Sequence, residues 1–365
     1  MAQRSDSHHD SGGRTTGTVD RRAFLAASAT IGGVGLAGCL GDDSGGDEIA
    51  IISSDAGFDD KAFNDMALSG LENAQDDYDF EINRIEETDT TAFGDVQVEA
   101  AETDPELIVL VGFQHTSPLE ENAPEYPDQN WMLINDPLDE PNVASYTWAN
   151  HEMSYLAGVL AGTMTTRELE NGGSSNDPEN AHVGFVGGQD GSLINAFEES
   201  YIAGAEWVEE GIEISTGYIG NFSDTSVAND IATSQFQDGA DIVYHAAAAA
   251  GAGAIEAAQQ ESRFAIGVDA DQSQTLPEFQ DVIIGSAVKY IDQGTNEAAQ
   301  AAFEDDFDSI ASEHNLLGLE EEAVDAVIGQ AFEGNLPDAV GQNLDEAKQG
   351  IVDGDIDVPC EADGC

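Results

Sequence analysis

Residues 49–75 read IAIISSDAGFDDKAFNDMALSGLENAQ. The isoleucine-rich run IAIISS (49–54) has the length and composition of a buried strand. A polar loop follows, and 61–75 then has the length of a helix. Strand, loop and helix make the first half of a βαβ unit, and the pattern recurs down the chain. Further strands are predicted at 107–112, 131–136, 182–188, 214–220, 241–247, 264–270 and 282–288, with helical stretches at 153–168, 194–210 and 254–261. This alternation predicts an α/β fold built from mainly parallel sheets flanked by helices. The linker ENGGSSNDPEN (170–180) and the helix before it put the start of a second lobe near residue 150.

In such sheets ligands sit beyond the carboxyl ends of the strands. The strand-end residues are Ser53 to Asp55, 112–115, Asn135 and Asp136, Gly187 and Gly188, Asn221 and Phe222, 246–253, 269–272 and Lys289. They are rich in hydrogen-bonding groups and aromatic rings. No GxGxxG or P-loop is among them, so no dinucleotide or nucleotide cofactor is implied. The run AAAAAGAGAIEAA (246–258) reads as a strand entering a tight turn with helix N–H groups exposed. It makes Gly251 a candidate ligand contact, with plain packing as the equal alternative.

The opening loop raises a second question. Ser53, Asp55, Asp59 and Asp60 lie one residue type away from DxDxxxDD, the carboxylate cluster with which nucleoside hydrolases hold calcium. Calcium wants six to eight oxygens, and a serine in the first position removes one charged ligand. The seven histidines are scattered and form no HExxH or other metal spacing. No GxSxG is present, and no cysteine is placed for nucleophilic attack. No metal site is predicted, and a binding protein is favoured over an enzyme.

The chain has 365 residues, enough for two lobes with real cores, and a net charge of −63. Acidic residues are spread over elements and loops alike, while hydrophobic content stays at 41%. Such a coat over an ordinary core predicts a halophilic protein, since molar salt shrinks the Debye length to about 3 Å. No basic patch exists to displace counterions, which excludes nucleic acid as a partner. After Cys39 only six basic residues remain: Lys61, Arg84, Arg167, Arg263, Lys289 and Lys348. Lys289 stands at a strand end, where a cation can donate to ligand hydroxyls. Lys61, in the first turn of a helix, is badly placed for the macrodipole and is expected to pair with a neighbouring carboxylate. Asp60 is expected to cap that helix.

At the amino end, TVDRRAFLAASATIGGVGLAGCL (18–40) resembles a twin-arginine signal ending in a lipobox. Its apolar stretch is too short for a membrane span. The expected organisation is a signal over 1–38, lipidation at Cys39 and an acidic tether over 39–47. Cys360 and Cys365, five apart, can close a small disulfide loop or remain free thiols.

Together, SDAGFDDKAFND, PNVASYTWANHEMSYLAGVLAG, HVGFVGG, GADIVYHAAAAAGAGAIEAA, IGVDADQ and GSAVKYID resemble the BMP family of substrate-binding lipoproteins, in order along nearly the whole chain. The resemblance implies a type I periplasmic-binding-protein fold, with two lobes joined by three hinge crossovers. Lobe 1 would comprise 48–147 plus 281–290, and lobe 2 would comprise 148–280 plus 291–365. It implies capture of a nucleoside, with a purine preferred, and delivery to the permease of an ABC importer from the outer face of the cytoplasmic membrane. By position, Phe63 would stack on the base and Asn64 would bond its edge. Asp136 would read the base, while Asp55, Asp269 and Lys289 would hold the ribose. Phe222 is the candidate second stacking wall. A calcium-dependent nucleoside hydrolase and a binder of a sugar or another small metabolite are the alternatives.

Overall fold

The computed structural model describes residues 47–311 and 314–360. The expected signal, Cys39 with nearly all of its tether, and Cys365 lie outside the described residues. Cys360 is disulfide-bonded.

Two six-stranded sheets form the frame. In the first, the order across the sheet is His314–Leu317, Val143–Trp148, Trp131–Ile134, Leu107–Val111, Asp47–Ile52 and Phe80–Ile85, all parallel. In the second it is Val324–Ile328, Ile283–Lys289, Phe264–Asp269, Ile242–Ala246, His182–Gly187 and Glu213–Tyr218. Only the Val324–Ile328 edge of that sheet runs antiparallel. The central strands, such as Leu107–Val111 and Ile242–Ala246, are buried along their whole length. This explains why they read as unbroken apolar runs. Each fully buried Ile or Val there contributes roughly 1.5–3 kcal/mol. In each lobe the first strand lies between the second and the third, so each sheet has a topological switch point beyond its strand ends.

The segment SYLAGVLAG lies in helix Asn150–Thr165, which is buried around nearly its whole circumference. It packs on helix Ser192–Val208. A Cβ on Gly158 would lie 2.1 Å from the Tyr201 carbonyl oxygen, and one on Gly204 would lie 2.0 Å from that of Tyr155. Only glycines allow this backbone-to-backbone approach.

Three passages join the lobes: at Ala149, at Tyr290 and through residues 318–323. They are stitched together, since Ala149 N donates to Leu317 O at 2.8 Å and Tyr290 N to Ala323 O at 2.9 Å. The expected lobe boundaries need correction at the second and third passages. Strand Ile283–Lys289 pairs with Phe264–Asp269 in the second sheet, so 281–290 do not complete lobe 1. The return to lobe 1 is made instead by helix Ile291–Phe303, which packs on helix Phe63–Ala74, and by strand His314–Leu317. Residues 291–317 therefore do not belong to lobe 2. Chain order alone does not reveal which sheet edge a late strand will join.

Most of the basic residues have structural employment. Arg263 pairs with the fully buried Asp241 at 3.0 Å, Lys348 pairs with Asp325, and Arg84 lies over the Phe58 ring. Lys61 pairs with Asp59 at 3.2 Å, in keeping with its unfavourable place at the helix start.

Candidate ligand-binding cleft

The switch points of the two sheets face each other across a narrow cleft, with a cavity of about 50 Å³. From lobe 1 it is lined by Ser54, Asp55 and Phe63, by 112–114, and by Asn135. Lobe 2 supplies Phe197 and its neighbours Leu193 and Ile194, Phe222, 246–248, Val268, Asp269 and Lys289. The lobes also touch directly: Thr275 Oγ1 donates to Lys61 O at 2.8 Å, and the rings of Phe113 and Phe222 meet edge-on, with centroids 6.4 Å apart.

Lys289 is the centre of the arrangement. Its side chain is only 1% exposed, and the ammonium stands 3.3 Å from Asp269 Oδ1. It donates to Asn150 Oδ1 at 3.0 Å and to Asn135 Oδ1 at 3.4 Å, which join both lobes to one cation. The faces of Phe63 and Phe197 lie 5.2 and 5.6 Å away, in cation–π range. Burial pulls the Lys289 ammonium below its ordinary value, and the Asp269 carboxylate opposes that pull. A buried charge left without such company costs several kcal/mol, on the order seen for ions moved into protein interiors.

Asp55 supplies a second acceptor. Its carboxylate accepts from Gln114 Nε2 at 2.6 Å, and burial raises its proton affinity. Because an ionised carboxylate only accepts, Gln114 must present its amide nitrogen there, which turns its Oε1 the other way. Three cleft residues, Asn135, Asp269 and Ala248, have φ values of +70°, +62° and +43°. Each stands at or just beyond the end of a strand, and such backbone strain, about 1–3 kcal/mol per residue, gathers where a site demands a special direction.

Of the predicted contacts, the structure brings together Asp55, Phe63, Phe222, Asp269 and Lys289. Asn64, Asp136 and Gly251 are not among the lining residues. Asn64 is fully buried. Its Oδ1 accepts from Ser54 N at 2.8 Å, and its Nδ2 donates to Ser54 Oγ and to Asp60 Oδ2. The side chain is thus occupied in holding the strand-end loop to the helix and has no hand free for a ligand edge. At Asp136 the carboxylate accepts from Thr116 Oγ1 at 2.6 Å, and the preceding residue, Asn135, faces the cleft instead. Gly251 serves packing, because a Cβ there would lie 2.0 Å from the His245 ring.

The acidic loop does not converge as a calcium ligand set would. Asp60 Oδ1 accepts from Ala62 N and Asp65 N, and its Oδ2 accepts from Asn64 N, so it caps the helix that begins at Phe63. Asp59 is turned outward to Lys61, and Ser53 Oγ bonds the backbone of Glu87. Among the described residues no group of three or more His, Cys, Asp or Glu side chains could hold a metal ion. The cleft therefore offers two carboxylates and an ammonium beside several aromatic faces. Such a set suits a flat, uncharged molecule rich in hydroxyl groups.

The profile of the family described as ABC transporter substrate-binding protein PnrA-like matches residues 48–362. Basic membrane protein A of Borreliella burgdorferi is 31% identical over 267 residues, spanning 71% of this chain and 74% of that protein. The ABC transporter nucleoside-binding protein BmpA of Lactococcus lactis subsp. cremoris is 28% identical over 280 residues, 70% of this chain and 75% of its own length. Among solved structures, an ABC transporter system solute-binding protein from Aeropyrum pernix K1 superposes with a TM-score of 0.75 at 24% identity. That match covers 86% of this chain and 94% of the other, and it shows a shared fold.

Proposed function

The chain belongs to the PnrA-like family of ABC transporter substrate-binding proteins, and from that premise we propose that it captures a purine nucleoside and hands it to a membrane permease. The family consists of binding proteins and not of enzymes. The observation that carries the nucleoside reading is the buried Lys289–Asp269 pair set against the Phe63 ring on one side of the cleft. Ribose hydroxyls can bond Asp55, Asp269 and Lys289, and hydrogen bonds to charged groups are worth roughly 1.5–3 kcal/mol each. Phe63 takes one face of the base, with Phe222 and Phe197 as the candidates for the opposite wall. That a relative bears the name nucleoside-binding protein supports the same reading.

The protein is exported by the twin-arginine route and anchored through a lipid on Cys39. It works at high salt, for which its net charge of −63 is suited. Close hydrogen bonds and stacking survive salt that would screen a capture driven by charge alone.

Calorimetry in molar potassium chloride with guanosine, adenosine, inosine, uridine and ribose tests the proposal. At least one purine nucleoside should bind tightly and ribose should bind weakly or not at all. Ribose binding without nucleoside binding would assign the cleft to a sugar. Release of free base from guanosine in the presence of calcium would assign it to a hydrolase.

A further inference from the structure

We infer that Gln272, anchored by His245, is a positioning residue that keeps the Asp269 carboxylate aimed into the cleft, so that capture depends on two side chains that do not line it. This rests on the nucleoside reading of the cleft.

Asp269 is the centre of a three-residue γ-turn. Ala270 N donates to Val268 O at 2.7 Å while Asp269 holds φ +62°, the rarer and strained form of that turn. Such a turn needs something outside itself to hold it. Gln272 supplies this by folding back so that its Oε1 accepts from Val268 N at 3.1 Å. The same oxygen meets His245 Nε2 at 2.8 Å, and Gln272 N donates to Ser286 Oγ at 3.0 Å.

A backbone N–H can only donate, so the atom facing Val268 is the amide oxygen. His245 must then carry its proton on Nε2, as a neutral imidazole. Burial agrees, pulling the His245 imidazole down to about 4. Gln272 is 1% exposed, and His245 and Ser286 are fully buried. The space for the cluster is built in: a Cβ on Gly267 would lie 2.7 Å from Gln272 Oε1, and one on Gly251 would lie 2.0 Å from His245 Nδ1. Ser286 lies on the strand that ends in Lys289, so one buried cluster sets both members of the Asp269–Lys289 pair.

The test uses Gln272→Met, which removes the acceptor at similar length, and Gln272→Glu, which restores one. Two readouts are taken on the whole protein in molar salt: hydrogen exchange at the Val268 amide, and guanosine affinity in both the wild-type and Asp269→Asn backgrounds. Gln272→Met should speed Val268 exchange selectively over the strand Ile283–Lys289. It should weaken guanosine on the order of tenfold in the wild-type background, within the coupling range of contacting residues, and much less once Asp269 is altered. Gln272→Glu should recover most of both. Equal affinity losses in the two backgrounds, or unchanged Val268 exchange, would overturn the inference. If Gln272→Met does not fold, Gln272→Asn withdraws the same oxygen and is judged by the same outcomes. If the wild type binds no nucleoside, the reading of the cleft fails while the exchange arm still decides the positioning role.

Discussion

Lys289 Nζ stands 3.3 Å from Asp269 Oδ1 inside the cleft, and each is the other's compensation for leaving water. Replacing Lys289 by Met leaves a carboxylate buried and unpaired. The expected cost is about 3–5 kcal/mol of folding stability, together with loss of capture. The double variant Lys289→Met/Asp269→Asn should recover much of the stability and none of the capture. Chemical denaturation beside calorimetry measures both, and a stable, fully binding Lys289→Met would contradict the role given to the pair.

Asn64 and Phe63 are adjacent in sequence but should behave differently. Asn64→Ala strips hydrogen bonds from Ser54 and Asp60 in a buried place, which should cost about 1–3 kcal/mol of stability. Affinity of the folded protein should change little. Phe63→Leu keeps apolar bulk but removes the aromatic face, and should lose about 0.5–1.5 kcal/mol of binding. The reverse pattern would return Asn64 to the ligand.

Asp60 gives stability a pH dependence. Burial, the larger effect, pushes its carboxyl up to about 6 from 3.8, against the hydrogen bonds from Asn64, Ala62 and Asp65. The native state therefore holds a proton that the unfolded chain has released between those two values. The contribution of this group is fully present below the unfolded value and is lost as pH rises through about 6. The difference in denaturation midpoint between wild type and Asp60→Asn should move in favour of the wild type as pH falls from 7 to 4, a window spanning that titration. A pH-independent difference counts against it.

The acidic coat predicts a steep response to salt. Raising potassium chloride from about 0.1 to 1 M shortens the screening length from roughly 10 to 3 Å and relieves self-repulsion. The urea midpoint should climb over that range, and a midpoint indifferent to salt would remove the basis for the halophilic assignment.

Much of the architecture is legible in the amino-acid sequence. The isoleucine-rich run at 49–54 and the apolar runs after it announce parallel strands, because burial on both faces erases the polar alternation that other strands show. Strand ends then lead to Asp55, Asp269 and Lys289. Other features are hidden for physical reasons. Asn64 and Asp136 sit beside true lining residues, and a spacing argument does not say which way a helix start or a strained strand end turns. Phe197 gives no signal, since an aromatic residue on an amphipathic helix looks like core. Asn135 and Gln114 stand out only as strand-end positions, because a side chain's aim depends on partners far away in sequence. The strand at 283–289 is expected in the wrong lobe, as local pattern does not encode which sheet a returning chain will join.

The three passages between the lobes run side by side and are laced by main-chain bonds at Leu317 and Ala323. Twisting one lobe against the other would tear that lacing, so a swing about a single axis is the inexpensive motion. Lys289 is joined directly to Tyr290, the middle passage, and so the buried cation of the cleft sits at the pivot. A swing there would open the cleft most widely at the rim, where Lys61 and Thr275 come together.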